Sequence, residues 1–256
     1  MFIFFRKLLV FISLLSVVFI FPVLVIFYGK EYMSYKEVVD KQLQYTETLF
    51  GFGYNETTFF NYKKHLVEVK NPEIIALGTS RVMQIRESFF KERVNFVNAG
   101  GGGRSLDETL EFIKSINKNS SIKLIILGLD REVFYSKSDY QSDLEDDILP
   151  FRIAEVSFSM SRRIYLDYFS KKYSLINLIQ KSEVSNNIGV SALLKDDGFR
   201  YDGSYKYGSA MDSKDRKEYL FLKTKEKVNK IKNNNFDYEQ DRIYLERNFE
   251  VLRSII

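Results

Sequence analysis

Three short stretches of this sequence hold the residue types and spacing that chemistry needs: Gly78-Thr79-Ser80-Arg81, Asn98-Ala99-Gly100-Gly101-Gly102-Gly103-Arg104-Ser105 and Gly128-Leu129-Asp130-Arg131. A serine hydroxyl at a tight turn after a strand is exposed for nucleophilic attack, and neighbouring amides can stabilise an oxyanion. Ser80 has that position. Glycines at 100–103 carry no Cβ, so their N–H groups could approach a ligand group closely. Arg81, Arg104 and Arg131 each follow one of these stretches, and guanidinium groups lining one mouth would suit an anionic polymer. The same residues have plainer readings: Ser80 as a helix N-cap, the arginines as ordinary surface charges.

Composition removes other chemistries. The chain has 256 residues, no Cys and one His, which excludes disulfides, thiol catalysis, thiolate metal sites and multi-histidine centres. The glycine run fits neither the Gly-x-Gly-x-x-Gly register nor a Gly-Lys-Ser/Thr phosphate loop, so a nucleotide site is disfavoured and no cofactor is expected. The acidic run Asp139, Asp143, Glu145, Asp146, Asp147 lacks the ligand spacing and central Gly of a calcium loop and reads as a solvated loop. With 38 basic and 34 acidic side chains the net charge is only +4, too balanced to indicate nucleic-acid binding.

The elements that would position these residues are short apolar runs. Residues 73–78, 94–98 and 123–128 have strand length, β-branched content and Gly or Asn at their ends, and read as strands buried on both faces. Between the second and third, Ser105-Leu106-Asp107-Glu108 forms a capping-box pattern, followed by Leu110 and Ile113 at helical spacing. Strand, helix, strand predicts a parallel α/β sheet, whose ligands bind beyond the carboxyl ends of the strands. Residues 151–182 are helix-compatible, 196–209 read as a loop, and two more helices are predicted from about 212 to 232 and from Asp237 to Ile256.

The N-terminus sets the compartment expected. Leu8–Tyr28 carries no charge, and at ~1.5 Å per residue it matches the ~30 Å hydrocarbon layer. It reads as an uncleaved transmembrane signal anchor, since the run is longer than a cleaved signal's core and Phe27-Tyr28-Gly29 is a poor cleavage site. Arg6 and Lys7 before the span keep residues 1–7 in the cytoplasm, and the rest lies outside. Residues 29–70 read as a membrane-proximal stalk and 71–256 as the α/β domain.

The three stretches, in order and each after a strand, resemble the blocks of the SGNH hydrolase superfamily, in particular its membrane-anchored, extracytoplasmic branch that modifies acyl groups on cell-surface polymers. The resemblance covers about 72–135, with a looser echo in 198–208. It implies a three-layer, flavodoxin-like parallel sheet. It implies Ser80 as nucleophile, the N–H groups of Ser80 and Gly101 as oxyanion donors with Gly100 and Gly102 beside them, and Asp130 where the family has Asn. An ionised carboxylate cannot donate to an oxyanion, so Asp130 would be protonated or serve otherwise. The family's final Asp-x-x-His block has no match. His65, upstream in Lys63-Lys64-His65-Leu66, is the only imidazole and reads as a solvated side chain rather than a base. The chain stops at Arg253-Ser254-Ile255-Ile256 where another strand is expected, which suggests truncation of the last strand and its histidine loop. The implied activity is ester hydrolysis or acyl transfer on a cell-envelope glycan, with very low turnover absent a base. The rival is a non-catalytic, membrane-anchored accessory protein that binds glycan or an envelope partner through the same cleft. A purely structural envelope protein is the third reading.

Overall fold

The computed structural model describes residues 2–55, 59–90, 94–103, 105–116, 121–130 and 156–208, with Leu222 and Lys225 as isolated positions; the side chains of residues 2, 3, 8–10 and 12–18 are outside this description. The predicted helices beyond 209, the acidic run at 139–147, Arg104 and Arg131 therefore lie outside the described residues. The chain divides into two units, one of residues 1–57 and 148–198, the other of 58–147 and 199–256.

In the first unit, helix α1 (Phe2–Tyr28) has apolar residues on every side and contains Pro22. The predicted membrane span falls within it. Among the described residues no helix is long and apolar enough to cross a membrane, a statement that takes in only part of α1. After the turn at 29–34 comes α2 (Tyr35–Gln44), opened by a reciprocal cap: Glu37 N–H donates to Ser34 Oγ (3.3 Å) and Ser34 N–H to Glu37 Oε2 (2.8 Å). The segment 29–70, read as a stalk, has residues in both units, and residues 29–55 pack with later helices of the first. Those helices are α5 (Phe158–Phe169), α6 (Leu175–Val184) and α7 (Val190–Lys195). Their core joins Val25 and Ile26 of α1 to Tyr54, Ile164, Leu178, Val190 and Leu193. Each such side chain, fully buried, contributes about 1.5–3 kcal/mol.

The second unit holds the sheet. Strands β1 (Ile74–Gly78), β2 (Phe96–Asn98) and β3 (Leu124–Gly128) are all parallel in the order β2-β1-β3. Ile74 faces Phe96 on one side and Leu124 on the other, and the register runs to Gly78 opposite Gly128. The fold is thus mixed α/β, as the pattern of runs predicted. β1 and β2 are buried, whereas Leu124 and Ile125 of β3 are exposed, and no described strand pairs with the outer edge of β3. Helix α3 (Phe59–Lys70) packs on β2 and on α4 (Leu106–Ser115). Ser105 Oγ caps α4 by accepting from Glu108 N–H at 3.2 Å. Leu106 of α4 is buried as expected, but Thr109 and Phe112 complete its buried face in place of the expected Leu110 and Ile113, and the Phe112 ring meets Phe60 of α3 at 5.2 Å. The stretch read as a loop forms a small hairpin, β4 (Gly198–Phe199) and β5 (Tyr205–Lys206), whose turn uses Gly203 at φ +78°.

Candidate functional site

All three strands of a parallel sheet end at one edge, so the turns after β1, β2 and β3 become neighbours. The structure ties them together. Gly101 N–H donates to Gly78 carbonyl (2.8 Å), joining the second turn to the first. Thr79 Oγ1 donates to Asp130 Oδ2, and Arg81 Nη1 to Asp130 Oδ1 (3.0 Å), joining the third turn to the first. Asp130 therefore serves as an acceptor for a hydroxyl and a guanidinium. Ser80 lies between these two contacts, exposed, with no hydrogen bond among the described residues.

The backbone at this rim depends on missing side chains. Gly78 has φ +141°, and a Cβ there would meet Val82 Cγ2 at 2.7 Å and Gly128 carbonyl at 2.8 Å. Val82 thus settles over the paired glycines that end β1 and β3. The glycine run is explained in the same way, by what packs against it. A Cβ on Gly101, at φ +82°, would strike Met83 Cε, and one on Gly100 would approach Met83 N at 3.1 Å. A Cβ on Gly102 would meet the Phe112 ring at 3.0 Å, and one on Gly103 would meet Thr109 N at 2.8 Å. Gly100 and Gly101 let Met83 close over them, and Gly102 and Gly103 let α4 approach. With its N–H held by Gly78, Gly101 is not a free oxyanion donor in this arrangement.

Asn98, at the end of β2, fastens the turn that carries Ser80. Its Nδ2 donates to the carbonyls of Val82 (2.8 Å) and Ile85 (2.7 Å), and its Oδ1 accepts from Gly100 N–H (2.8 Å). The hairpin turn adds a second fastening. Asp202 carbonyl accepts from Asn98 N–H (2.7 Å), and Asp202 Oδ2 accepts from Glu87 N–H (2.9 Å). Lys63, fully buried on α3, donates to the carbonyls of Asn98 (2.9 Å) and Gly203, with its Nζ 4.1 Å from the Phe199 ring centroid. Burial pulls the Lys63 ammonium well below its ordinary value of 10.5, and the nearby Asp202 charge pulls it back. Tyr201 OH donates to Glu87 Oε2 (2.6 Å), which with burial pushes the phenol up to about 12. Sequence reasoning missed Lys63, Asn98 and Asp202 as a connected group. The available signals were an Asn closing a strand and an Asp-Gly turn in the stretch already noted as a weak echo.

His65 shares no hydrogen bond with Ser80 among the described residues. It sits on α3 with Nδ1 3.7 Å from Glu68 Oε2, one helical turn along, and its Nε2 is buried without a partner among the described residues. It is thus partly enclosed, not a freely solvated side chain. Among the described residues no group of acidic and imidazole side chains could hold a metal ion. No protein-family model, curated protein or solved structure matches the chain.

Proposed function

We propose that this chain is a membrane-anchored, extracytoplasmic protein with an SGNH-like acyl-ester site centred on Ser80, in a three-layer sheet of flavodoxin-like order. The anchor is α1, whose uncharged run 8–28 has the length of a bilayer span. The substrate class is an ester on a cell-envelope glycan or polymer. One observation carries the reading: the turns after β2 and β3 are bonded to the turn that carries Ser80, through Gly101 to Gly78 and through Asp130 to Thr79 and Arg81, the two neighbours of Ser80. Arg81, exposed and paired with Asp130, is positioned for an anionic group on such a polymer.

Turnover is low in this reading, because no imidazole partners Ser80 and the Gly101 N–H is already engaged. A fluorophosphonate probe on the full chain in detergent tests it. Slow labelling, lost in Ser80→Ala and unchanged in His65→Ala, is the expected result. Absence of labelling in folded protein overturns the nucleophile. The second reading, a non-catalytic glycan-binding accessory protein, is favoured by Met83 lying over Gly100 and Gly101, where a ligand would otherwise reach the amides. It predicts an unlabelled protein that still retains an acylated glycopolymer.

A further inference from the structure

Helices α5 and α6 of the first unit expose large apolar side chains: Phe158 is 86% exposed, Leu166 52%, Phe169 73% and Ile176 68%. On α5 the three residues are spaced by eight and three positions, so they form one stripe. This stripe continues into α1 through a ladder of rings. Phe21 of α1 stacks on Tyr165 at 5.1 Å, and Tyr165 stacks on Phe169 at 6.0 Å. Arg162, Arg163 and Lys171 are exposed among or beside these side chains, and Lys172 pairs with Asp167. An apolar and aromatic stripe flanked by cations is the composition of a helix lying in the boundary between headgroups and acyl chains.

We propose that α5 and α6 lie on the bilayer that α1 enters, with Phe158, Leu166, Phe169 and Ile176 dipping into the headgroup boundary of an anionic leaflet. This rests on the anchoring of α1. Phe21 precedes Tyr28 by two helical turns, about 10 Å at 1.5 Å per residue, and interfacial helices sit ~5–10 Å into the boundary. A helix touching Phe21 therefore meets acyl chain on its open side. The cations stay level with lipid phosphates, where each basic side chain is attracted by the anionic surface.

The chain has no Trp, so single tryptophans report without background. The full chain is reconstituted into phosphatidylcholine–phosphatidylglycerol nanodiscs with bromine on the lipids either near the headgroup or deep in the acyl chain. Phe158→Trp and Phe169→Trp are compared with Phe11→Trp in α1 and Phe89→Trp in the second unit, all at exposed sites. Expected are blue-shifted emission at 158 and 169 with most of it lost to shallow bromine, loss to deep bromine at 11, and no loss at 89. Quenching at 11 without quenching at 158 and 169 overturns the proposal and leaves the anchor standing. No quenching at 11 overturns the anchor as well. A blue shift at 158 and 169 without bromine quenching marks a protein partner or a second copy and overturns the lipid assignment, as does equal quenching at 89.

Discussion

Glu31 is fully buried, yet its partners are all backbone amides: Oε1 accepts from Gly53 (2.5 Å) and Val190 (3.0 Å), Oε2 from Tyr54 (2.9 Å) and Asn55 (2.9 Å). Burial raises its carboxyl above the ordinary value while these four N–H bonds oppose the rise. Glu31→Gln keeps the shape but turns an NH2 toward two amide donors, leaving both unsatisfied in the interior. It should destabilise the first unit by about 3 kcal/mol in urea unfolding of the solubilised chain. A loss below the error of extrapolation would show that the amides find other partners. Lys63 gives a pH-dependent counterpart. Its folded value lies below 10.5, so between the two values the unfolded chain holds a proton that the folded chain releases. Stability therefore rises with pH across that window, and Lys63→Met should flatten the wild-type rise. Parallel wild-type and variant profiles would mean that Lys63 keeps its proton in the fold. Neither residue was legible in the sequence. A glutamate after a turn and one lysine of a Lys-Lys pair look like surface charges, and only tertiary approach of segments far apart in sequence makes them central.

At the scale of elements, the three strands were readable because each is a short β-branched run with Gly or Asn at its end, and the α4 cap because Ser105 stands three residues before Glu108. The meeting of the turns was legible to the same extent: strand ends predict which turns become neighbours, and the turns that carry Ser80, Gly101 and Asp130 are bonded to one another. What each glycine faces was not legible, since a run of four looks alike whether it admits a ligand or a neighbouring turn. Met83 and α4 are what pack against the run in this fold. Gly101→Ala measures the difference. The residue sits at φ +82°, which costs about 1–2 kcal/mol for a non-glycine residue, and the new methyl also collides with Met83. Gly101→Ala should therefore lose more stability than the backbone alone explains, and adding Met83→Ala should recover only the collision. Coupling is read from the double-mutant cycle, and additive losses would remove Met83 from the account.

For the whole molecule, the division into two units makes Glu31 and Lys63 internal fastenings of different bodies. Glu31 holds the 53–55 segment and the start of α7 to the turn after α1, all within the first unit. Lys63 holds α3, the end of β2 and the hairpin turn, all within the second. Protection against hydrogen exchange follows the local opening equilibrium, so a lost fastening appears first in the segments it joined. In exchange measurements on the full chain in nanodiscs, Glu31→Gln should speed exchange in residues 29–55 and 188–195 while residues 74–78 keep wild-type protection. Lys63→Met should speed exchange in residues 59–70, 96–103 and 199–205 and leave 35–44 unchanged. Acceleration of every segment by either substitution would mean that the two bodies open as one cooperative fold. Separate responses would make the Ser80 rim, carried wholly on β1, β2 and β3, independent in stability of the helices that adjoin α1.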